Sequence, residues 1–226
     1  MPQELPTDIQ HITTGPAFEA LGLAHRVRIP SGEGLHPTLV MVHGLQGNED
    51  VTWVFARTVP PDWLIISPRA PFAATAGGYE WSDSESPERN TLTSLEAGNA
   101  ALTRFIDHLP NVYPVDPSRL VLLGFSQGAA MSYLFATSHS VSGVAALGGF
   151  IPPQLVSQLH PLNHLPILIL HGTRDETISI ETARRNRDQL IAAGADVTYQ
   201  ESDIGHKVSS AGMAALKEWL KARHTD

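Results

Sequence analysis

The apolar residues of the chain fall into short runs separated by polar and glycine-containing segments. Most runs lack the alternation of a strand with one solvated face, so they predict strands covered on both faces. Residues 9–15 and 23–29 predict two N-terminal strands, the second with alternating apolar and polar positions. The other predicted strands are Thr38–Val42, Trp63–Ile66, Leu120–Leu123, Val144–Leu147, Ile167–Leu170 and Val197–Gln200.

Helical periodicity occupies the segments between these runs. Apolar residues recur at helical spacing from Leu92 to Leu109, and Thr93 and Glu96 fit a capping box near its start. Further helices are predicted at Val51–Thr58, directly after Ser126, at Glu181–Ala193 and at Ser210–Lys221. Strands that alternate with helices predict a single α/β domain over residues 1–226, with helices on both faces of a mainly parallel sheet.

Composition and charge narrow the function classes. The 226 residues include 15 basic and 23 acidic side chains, a net charge of −8 without a basic stripe, which disfavours nucleic acid. The absence of cysteine excludes a disulfide framework and a thiolate nucleophile. Without a leader-like or membrane-length apolar segment, we expect a cytoplasmic protein that does not insert stably into membranes, although an exported mature form would look the same.

The main chemical signal follows the strand Leu120–Leu123. The chain there reads Gly-Phe-Ser-Gln-Gly at residues 124–128 and continues into small residues, as in a strand, nucleophile elbow and helix. The two glycines remove side chains that would collide in such a turn, so Ser126 would present its hydroxyl to a substrate carbonyl. Because the motif alone is weak, a glycine turn with an ordinary serine is the alternative.

A nucleophilic serine needs a histidine base, and the histidine needs an acidic partner. In parallel sheets such residues lie on loops after the carboxyl ends of strands. Asp175 follows the strand Ile167–Leu170, with Glu176 as the less favoured substitute, and His206 follows the last strand. The order Ser126, Asp175, His206 is that of α/β-hydrolases.

Backbone amides are expected to stabilise the oxyanion of acyl transfer. One is the amide of Gln127, at the start of the helix after the elbow, and the second is that of Leu45, on a glycine-containing loop after a buried strand. A simple glycine turn is the alternative for that loop. His43 and His171 are expected to have structural roles.

Access to the site is predicted from two loops. Tyr79 and Trp81, within the segment Phe72–Asn90, are expected to form an apolar substrate wall, with a surface loop pinned by one aromatic residue as the alternative. The segment Gly148–Pro166 is too short for a lid domain. An open site for short to medium acyl chains is therefore expected.

Six short motifs together resemble the phospholipase/carboxylesterase family of the α/β-hydrolase superfamily, which includes acyl-protein thioesterases. They are Val42-His43-Gly44-Leu45, Pro68-Arg69-Ala70-Pro71, Trp81-Ser82-Asp83, the elbow through Ala130, His171-Gly172-Thr173-Arg174-Asp175 and Gly205-His206. The resemblance extends from about residue 36 to the C-terminus. It implies a serine carboxylic-ester hydrolase with the triad and oxyanion donors given above. The chain departs from thioesterase-like members at residues 46–48 and at Ser82, beside the acyl site.

The function expected is hydrolysis of a small-molecule ester through an acyl-enzyme, without a metal or cofactor; a homodimer is one option. An acyl thioesterase or lysophospholipase shares this chemistry, and a peptidase or a non-catalytic binding protein on the same fold is less favoured. A metal enzyme is disfavoured because Pro161 interrupts a helix across His160 and His164, and no glutamate lies between them.

Overall fold

An eight-stranded sheet forms the centre of the described part of the chain. The computed structural model describes residues 9–83, 90–159 and 161–223; His160 lies outside these ranges. The strands, in chain order, are β1 Ile9–Ile12, β2 His25–Arg28, β3 His36–Val42, β4 Leu64–Pro68, β5 Phe72–Ala73, β6 Tyr79–Glu80, β7 Val115–Phe125, β8 Gly143–Leu147, β9 Pro166–Gly172 and β10 Asp196–Ser202. β5 and β6 form a separate hairpin.

The strand order in the main sheet is β1-β2-β4-β3-β7-β8-β9-β10. β2 pairs antiparallel with β1 and with β4, and the other neighbours are parallel. All eight predicted strands are confirmed, as is the mainly parallel sheet. Since β3, β7, β8, β9 and β10 run in the same direction, their carboxyl ends lie along one edge, and the loops after them share that side of the molecule.

Helices cover both faces of this sheet. They are α1 Pro16–Leu21, α2 Leu92–His108, α3 Gln127–Ala136, α4 Ile180–Ala192 and α5 Ser210–Ala222, with 3-10 helices at Val51–Thr58, Leu109–Asn111 and Pro153–Gln158. The predicted helix at Val51–Thr58 is thus a 3-10 helix. None of the helices in the described residues is long and apolar enough to cross a membrane.

The strand side chains divide the core into two layers. Val40 and Val42 of β3 pack with α2 and α3, whereas Leu39 and Met41 pack with α5 and the 3-10 helix Val51–Thr58. Every residue of β3 is buried. Burial on both faces explains why this run is apolar without alternation.

The capping box of α2 differs from the predicted one. Thr91 is the N-cap, and its Oγ1 accepts from Ser94 N at 3.2 Å, while Ser94 Oγ accepts from Thr91 N at 3.1 Å. Thr93 and Glu96 are therefore inside the helix and the prediction of a box at those residues is wrong. A serine at the third helical position replaces the expected glutamate, which hid the motif.

The connection from β8 to β9 is short. In its described residues, 148–159 and 161–165, it contains one 3-10 helix, Pro153–Gln158. Leu155 and Leu159 of this segment are buried in the core beside α3. The connection therefore lies packed on the sheet, as the expectation of an open site requires.

Candidate active site

Ser126 occupies the tight turn between β7 and α3. Its backbone has φ 54° and ψ −118°, a conformation that side chains other than glycine rarely adopt. A Cβ at Gly124 would overlap the backbone of Gly128, and one at Gly128 would overlap the Val42 carbonyl. Both glycines are therefore needed for the strand and helix to approach so closely, and the turn holds Ser126 in the strained conformation of a nucleophile elbow.

Asp175 and His206 are brought together by backbone pairing of their loops. The N–H of Arg174 donates to the Ile204 carbonyl at 2.9 Å, just before the two side chains. A Cβ at Gly172 would overlap the carbonyls of Ile204 and Gly205. This close approach places His206 Nδ1 2.6 Å from Asp175 Oδ2.

Both oxygens of the Asp175 carboxylate accept hydrogen bonds. Its Oδ1 accepts from the N–H groups of Thr177 and Ile178, both at 2.9 Å. Burial alone would raise the pKa of Asp175, but the hydrogen bonds from Ile178, His206 and Thr177 outweigh it and lower the pKa below its usual range. The carboxylate is therefore ionised, and Nδ1–H of His206 is the donor to it.

His171 also contacts this carboxylate. Its ring is almost fully buried, and Nε2 lies 2.8 Å from the Ile178 carbonyl and 3.5 Å from Asp175 Oδ2. The contact to Ile178 fixes the turn whose N–H groups bind Asp175 Oδ1. His171 thus supports the turn that holds the acidic partner. Glu176, the less favoured substitute, is exposed and lies on the outer side of the same turn.

The ring of His206 lies beside the elbow. Its centroid is 4.9 Å from that of Phe125, the residue before Ser126. Gly148, directly after β8, also borders the imidazole: it has a φ of 55°, which favours glycine, and a Cβ there would be in van der Waals contact with the ring, 3.4 Å from Nδ1 and Cε1. The structure therefore gathers Ser126, Asp175 and His206 at the carboxyl ends of β7, β9 and β10.

The loop after β3 lies directly against Ser126. A Cβ at Gly44 would come within 3.1 Å of the Ser126 Cβ and 3.0 Å of the Phe125 carbonyl. Leu45, the next residue, lines the open groove beside the elbow. The predicted oxyanion donors, Leu45 and Gln127, thus belong to segments on either side of Ser126.

His43 holds this loop in place by hydrogen bonds. Its ring is fully buried, with Nδ1 2.7 Å from the Gly44 carbonyl and Nε2 accepting from Ala70 N at 2.9 Å. Burial lowers the pKa of His43 to about 4. The neutral ring with its proton on Nδ1 satisfies both contacts, so His43 links the β3 loop to the loop after β4.

An ion pair between the half-buried Arg69 and the buried Glu49 holds the end of the same loop. The guanidinium of Arg69 binds both carboxylate oxygens of Glu49, and Nη1 lies 3.3 Å from Tyr79 Oη. Burial would raise the pKa of Glu49, but the hydrogen bonds from Arg69 lower it below its usual range. Sequence reasoning missed this pair; the Pro-Arg-Ala-Pro motif at residues 68–71 was its only signal.

The side chain of Gln127 has a structural role distinct from that of its amide. Oε1 accepts from Trp81 N at 2.9 Å, and Nε2 donates to Asn90 Oδ1 at 2.9 Å and to Ser82 Oγ at 3.2 Å. These bonds fasten the residues after β6 to the first turn of α3. Ser82, where the chain departs from thioesterase-like members, is thus buried in this network.

The structure corrects the expected role of Trp81 in a substrate wall, a role that was predicted for Tyr79 as well. Trp81 has no exposed surface, and its Nε1 donates to the His43 carbonyl at 2.9 Å. The ring of Tyr79 stacks on the guanidinium of Arg69, whose Cζ is 4.7 Å from the ring centroid, and Tyr79 is not among the residues that line the groove beside His206. The ring of Trp81 is packed in the core, and its hydrogen bond to His43 supports the β3 loop. The rest of the Phe72–Asn90 segment is described except for residues 84–89.

The walls beside the elbow come from other residues. An open, largely apolar groove of about 450 Å³ lies next to His206, lined by residues 44–47, Val51, Thr52, Val54, Phe55, Arg57, Phe125, residues 206–208 and Met213. Leu45, Val51 and Val54 keep 38%, 52% and 51% of their surface exposed. The sequence signal for this wall was the presence of apolar residues on both faces of the helix Val51–Thr58. A helix that packs on the core with one face needs apolar residues on that face only.

Within the described residues, one group of three side chains has the residue types and spacing that could bind a metal ion. Ligand atoms of His11, Glu49 and Asp50 lie within 4.8 Å of one another. However, Glu49 is bound by Arg69, and Asp50 accepts from Arg26 Nη1 at 3.0 Å. Both carboxylates are thus neutralised by guanidinium groups, and the cluster is an ion-pair network at the base of the β3 loop.

Acidification is expected to destabilise the fold through His43. Because its folded pKa is about 4 and the ordinary value is 6.5, the unfolded chain binds more protons between these values. Its contribution is complete above pH 6.5 and is lost as the pH falls towards 4, by roughly 3 kcal/mol of unfolding free energy. Urea unfolding across this pH range measures the loss of unfolding free energy. Buried His25, whose pKa is also lowered mainly by burial, contributes a loss in the same direction.

In the variant His43→Gln, the unfolding free energy should depend less on pH than in the native chain. His108→Gln, at an exposed position, should keep the pH dependence of the native chain. Direct titration of the His43 ring by NMR avoids any problem of variant folding. A ring that titrates near the ordinary histidine value would contradict this account.

Comparison with known proteins places this geometry in a family. A sequence model of the family described as Phospholipase/Carboxylesterase matches residues 24–224. Acyl-protein thioesterase 1 of Yarrowia lipolytica is 27% identical over 187 residues, which cover 73% of this chain and 81% of that protein. Acyl-protein thioesterase 1 homolog 1 of Dictyostelium discoideum is 28% identical over 190 residues, 76% of this chain and 84% of that protein.

Solved structures share the fold. A carboxylesterase of Bacillus cereus superposes with a TM-score of 0.80 at 21% identity, covering 91% of this chain and 97% of the other. A carboxylesterase from Mesorhizobium loti gives 0.78 at 21% identity, covering 94% and 98%. The predicted α/β-hydrolase fold and the predicted family are confirmed. The chain belongs to the phospholipase/carboxylesterase family and is a hydrolase of the carboxylic-ester type.

Proposed function

We propose that the chain hydrolyses carboxylic esters with Ser126 as nucleophile, His206 as base and Asp175 as the acid that orients it. The observation that carries this proposal is the 2.6 Å contact between His206 Nδ1 and an ionised Asp175, beside a serine held in an elbow. With its proton on Nδ1, the ring keeps Nε2 free of a proton. Nε2 is then the atom that accepts the proton of the Ser126 hydroxyl.

The reaction proceeds in two halves. Ser126 Oγ attacks the ester carbonyl as His206 Nε2 takes its proton, and the tetrahedral intermediate expels the alcohol, which receives that proton. Water then attacks the acyl-enzyme as His206 takes its proton, and the bond between the acyl carbon and Ser126 Oγ breaks. His206 returns the proton to Ser126 Oγ, and the acid is released. The negative oxygen of each intermediate is stabilised by the backbone N–H groups of Leu45 and Gln127.

The groove favours an acyl group of limited length. Its volume of about 450 Å³ and its apolar wall of Val51, Val54, Phe55 and Met213 suit a short to medium chain. A thioesterase is the second candidate, because the two thioesterase relatives each match about three quarters of this chain. The same triad serves both reactions, which differ in the leaving group.

Hydrolysis of a p-nitrophenyl ester series from acetate to palmitate tests the proposal. We expect kcat/KM to be highest for short or medium chains and to fall towards palmitate, because a long chain extends beyond the groove. The same acyl groups as thioesters, followed by thiol release, measure the second candidate. The Ser126→Ala protein in each assay identifies background hydrolysis.

A maximum at palmitate would contradict the chain-length proposal and favour lysophospholipase or thioesterase activity. Equal rates of hydrolysis by the native chain and by Ser126→Ala would contradict the serine mechanism itself.

A further inference from the structure

The groove beside His206 carries cations and no anions. Arg57, near the end of the 3-10 helix Val51–Thr58, and Lys207, next to His206, are both exposed and both line it. None of the described residues that line the groove is acidic. The charge of this groove is thus opposite in sign to the net charge of −8 of the whole chain.

Six of the twelve other lysines and arginines in the described residues are paired with a carboxylate. The residues with a carboxylate oxygen within 4.0 Å are Arg26, Arg69, Arg119, Arg174, Arg184 and Arg187. Arg57 and Lys207 form no ion pair with another described residue. Two unpaired positive groups at the rim of an apolar groove are complementary to an amphiphile with one negative group.

We propose that the substrate is an ester with an apolar segment and one carboxylate group, which Arg57 and Lys207 bind while the apolar segment lies along Val51, Val54 and Met213. This rests on the proposed function, of which it specifies the substrate class. The two cations also offset, close to the site, the repulsion that a net charge of −8 exerts on a negative substrate. The anionic group is carried by the acyl arm or by the alcohol arm.

Two pairs of esters test the proposal and separate the arms. For the acyl arm, the mono-4-nitrophenyl ester of adipic acid is compared with its methyl ester. For the alcohol arm, 4-(hexanoyloxy)benzoate is compared with its methyl ester. The measured quantity is the ratio of kcat/KM for the charged ester to that for the neutral one, in each protein variant.

We expect Arg57→Gln and Lys207→Gln each to lower this ratio by about threefold to fivefold for one of the two arms, as for exposed ion pairs. Raising the salt concentration should lower it in the native chain. Lys221→Gln makes the same charge change at an exposed position outside the groove and should keep the native ratio. Because ratios are compared between proteins, differences in leaving-group reactivity cancel.

Binding separates this proposal from the proposed function. The same ester pairs are titrated calorimetrically into the Ser126→Ala protein, with and without Arg57→Gln. A preference for the charged ester that Arg57→Gln removes supports the proposal even if the native chain cleaves neither ester, a result that would overturn only the hydrolysis mechanism. Ratios and affinities unaffected by both groove variants, for both arms, would overturn the anionic substrate class.

Discussion

Ser126→Ala is expected to lower kcat for a p-nitrophenyl ester by about a millionfold, with KM changed little. The reason is that nucleophile, base and acid act as a unit, so removing the nucleophile removes the covalent route altogether. Residual turnover would come from the oxyanion donors acting on a water molecule, which is a small fraction of the total. Because alanine can occupy the same backbone position without new contacts, the thermal unfolding midpoint should stay close to that of the native chain.

Ser132→Ala is the matched control for this prediction. Ser132 lies on α3, is fully buried, and its Oγ donates to the Gly128 carbonyl at 2.9 Å. This variant therefore loses a hydroxyl from the helix that follows Ser126, at a position that does not line the groove, and its activity should remain near the native value. A fluorophosphonate probe should label the native chain and Ser132→Ala once each and leave Ser126→Ala unlabelled. Activity of Ser126→Ala within tenfold of native, measured after purification from any contaminating esterase, would sink the assignment.

The sheet and the loops that follow its strands could be predicted because both depend on local sequence. Runs such as Thr38–Val42 are apolar on both faces only when helices cover both faces, so they identify interior parallel strands. Once these strands are placed, Ser126, Asp175 and His206 must lie at one edge of the sheet. Their meeting in the structure follows from strand direction and from the order of the residues.

The supports of the β3 loop could not be predicted, because they join residues that are distant in the chain. Arg69 binds Glu49, and Trp81 donates to the His43 carbonyl, across 20 and 38 residues of sequence respectively. The same limit explains the mistaken prediction that Trp81 forms a substrate wall: from sequence, an aromatic residue on a polar loop fits a wall as well as a core anchor. The burial of Trp81 is decided by the neighbouring strands, which its own segment does not reveal.

Asp175→Asn is expected to lower kcat by about ten thousandfold while leaving the fold and KM nearly unchanged. Thr177 N and Ile178 N both donate to Asp175 Oδ1, each at 2.9 Å. In the variant these two donors select the amide oxygen for that position, so the amide nitrogen faces His206 Nδ1. An N–H donor there stabilises the tautomer with its proton on Nε2, which cannot accept the proton of Ser126. Long-range proton–nitrogen NMR spectra of His206 should report this change of tautomer together with the loss of kcat.

Glu176→Gln is the matched control, since it removes one carboxylate from the neighbouring, exposed position of the same turn. Its kcat should stay within about twofold of native, because surface substitutions rarely disturb a site whose contacts they do not share. A large loss in Glu176→Gln with near-native activity in Asp175→Asn would transfer the acidic role to Glu176. Loss of activity in Asp175→Asn with an unchanged His206 tautomer would mean that the carboxylate acts by its charge on the imidazolium rather than by orienting the ring.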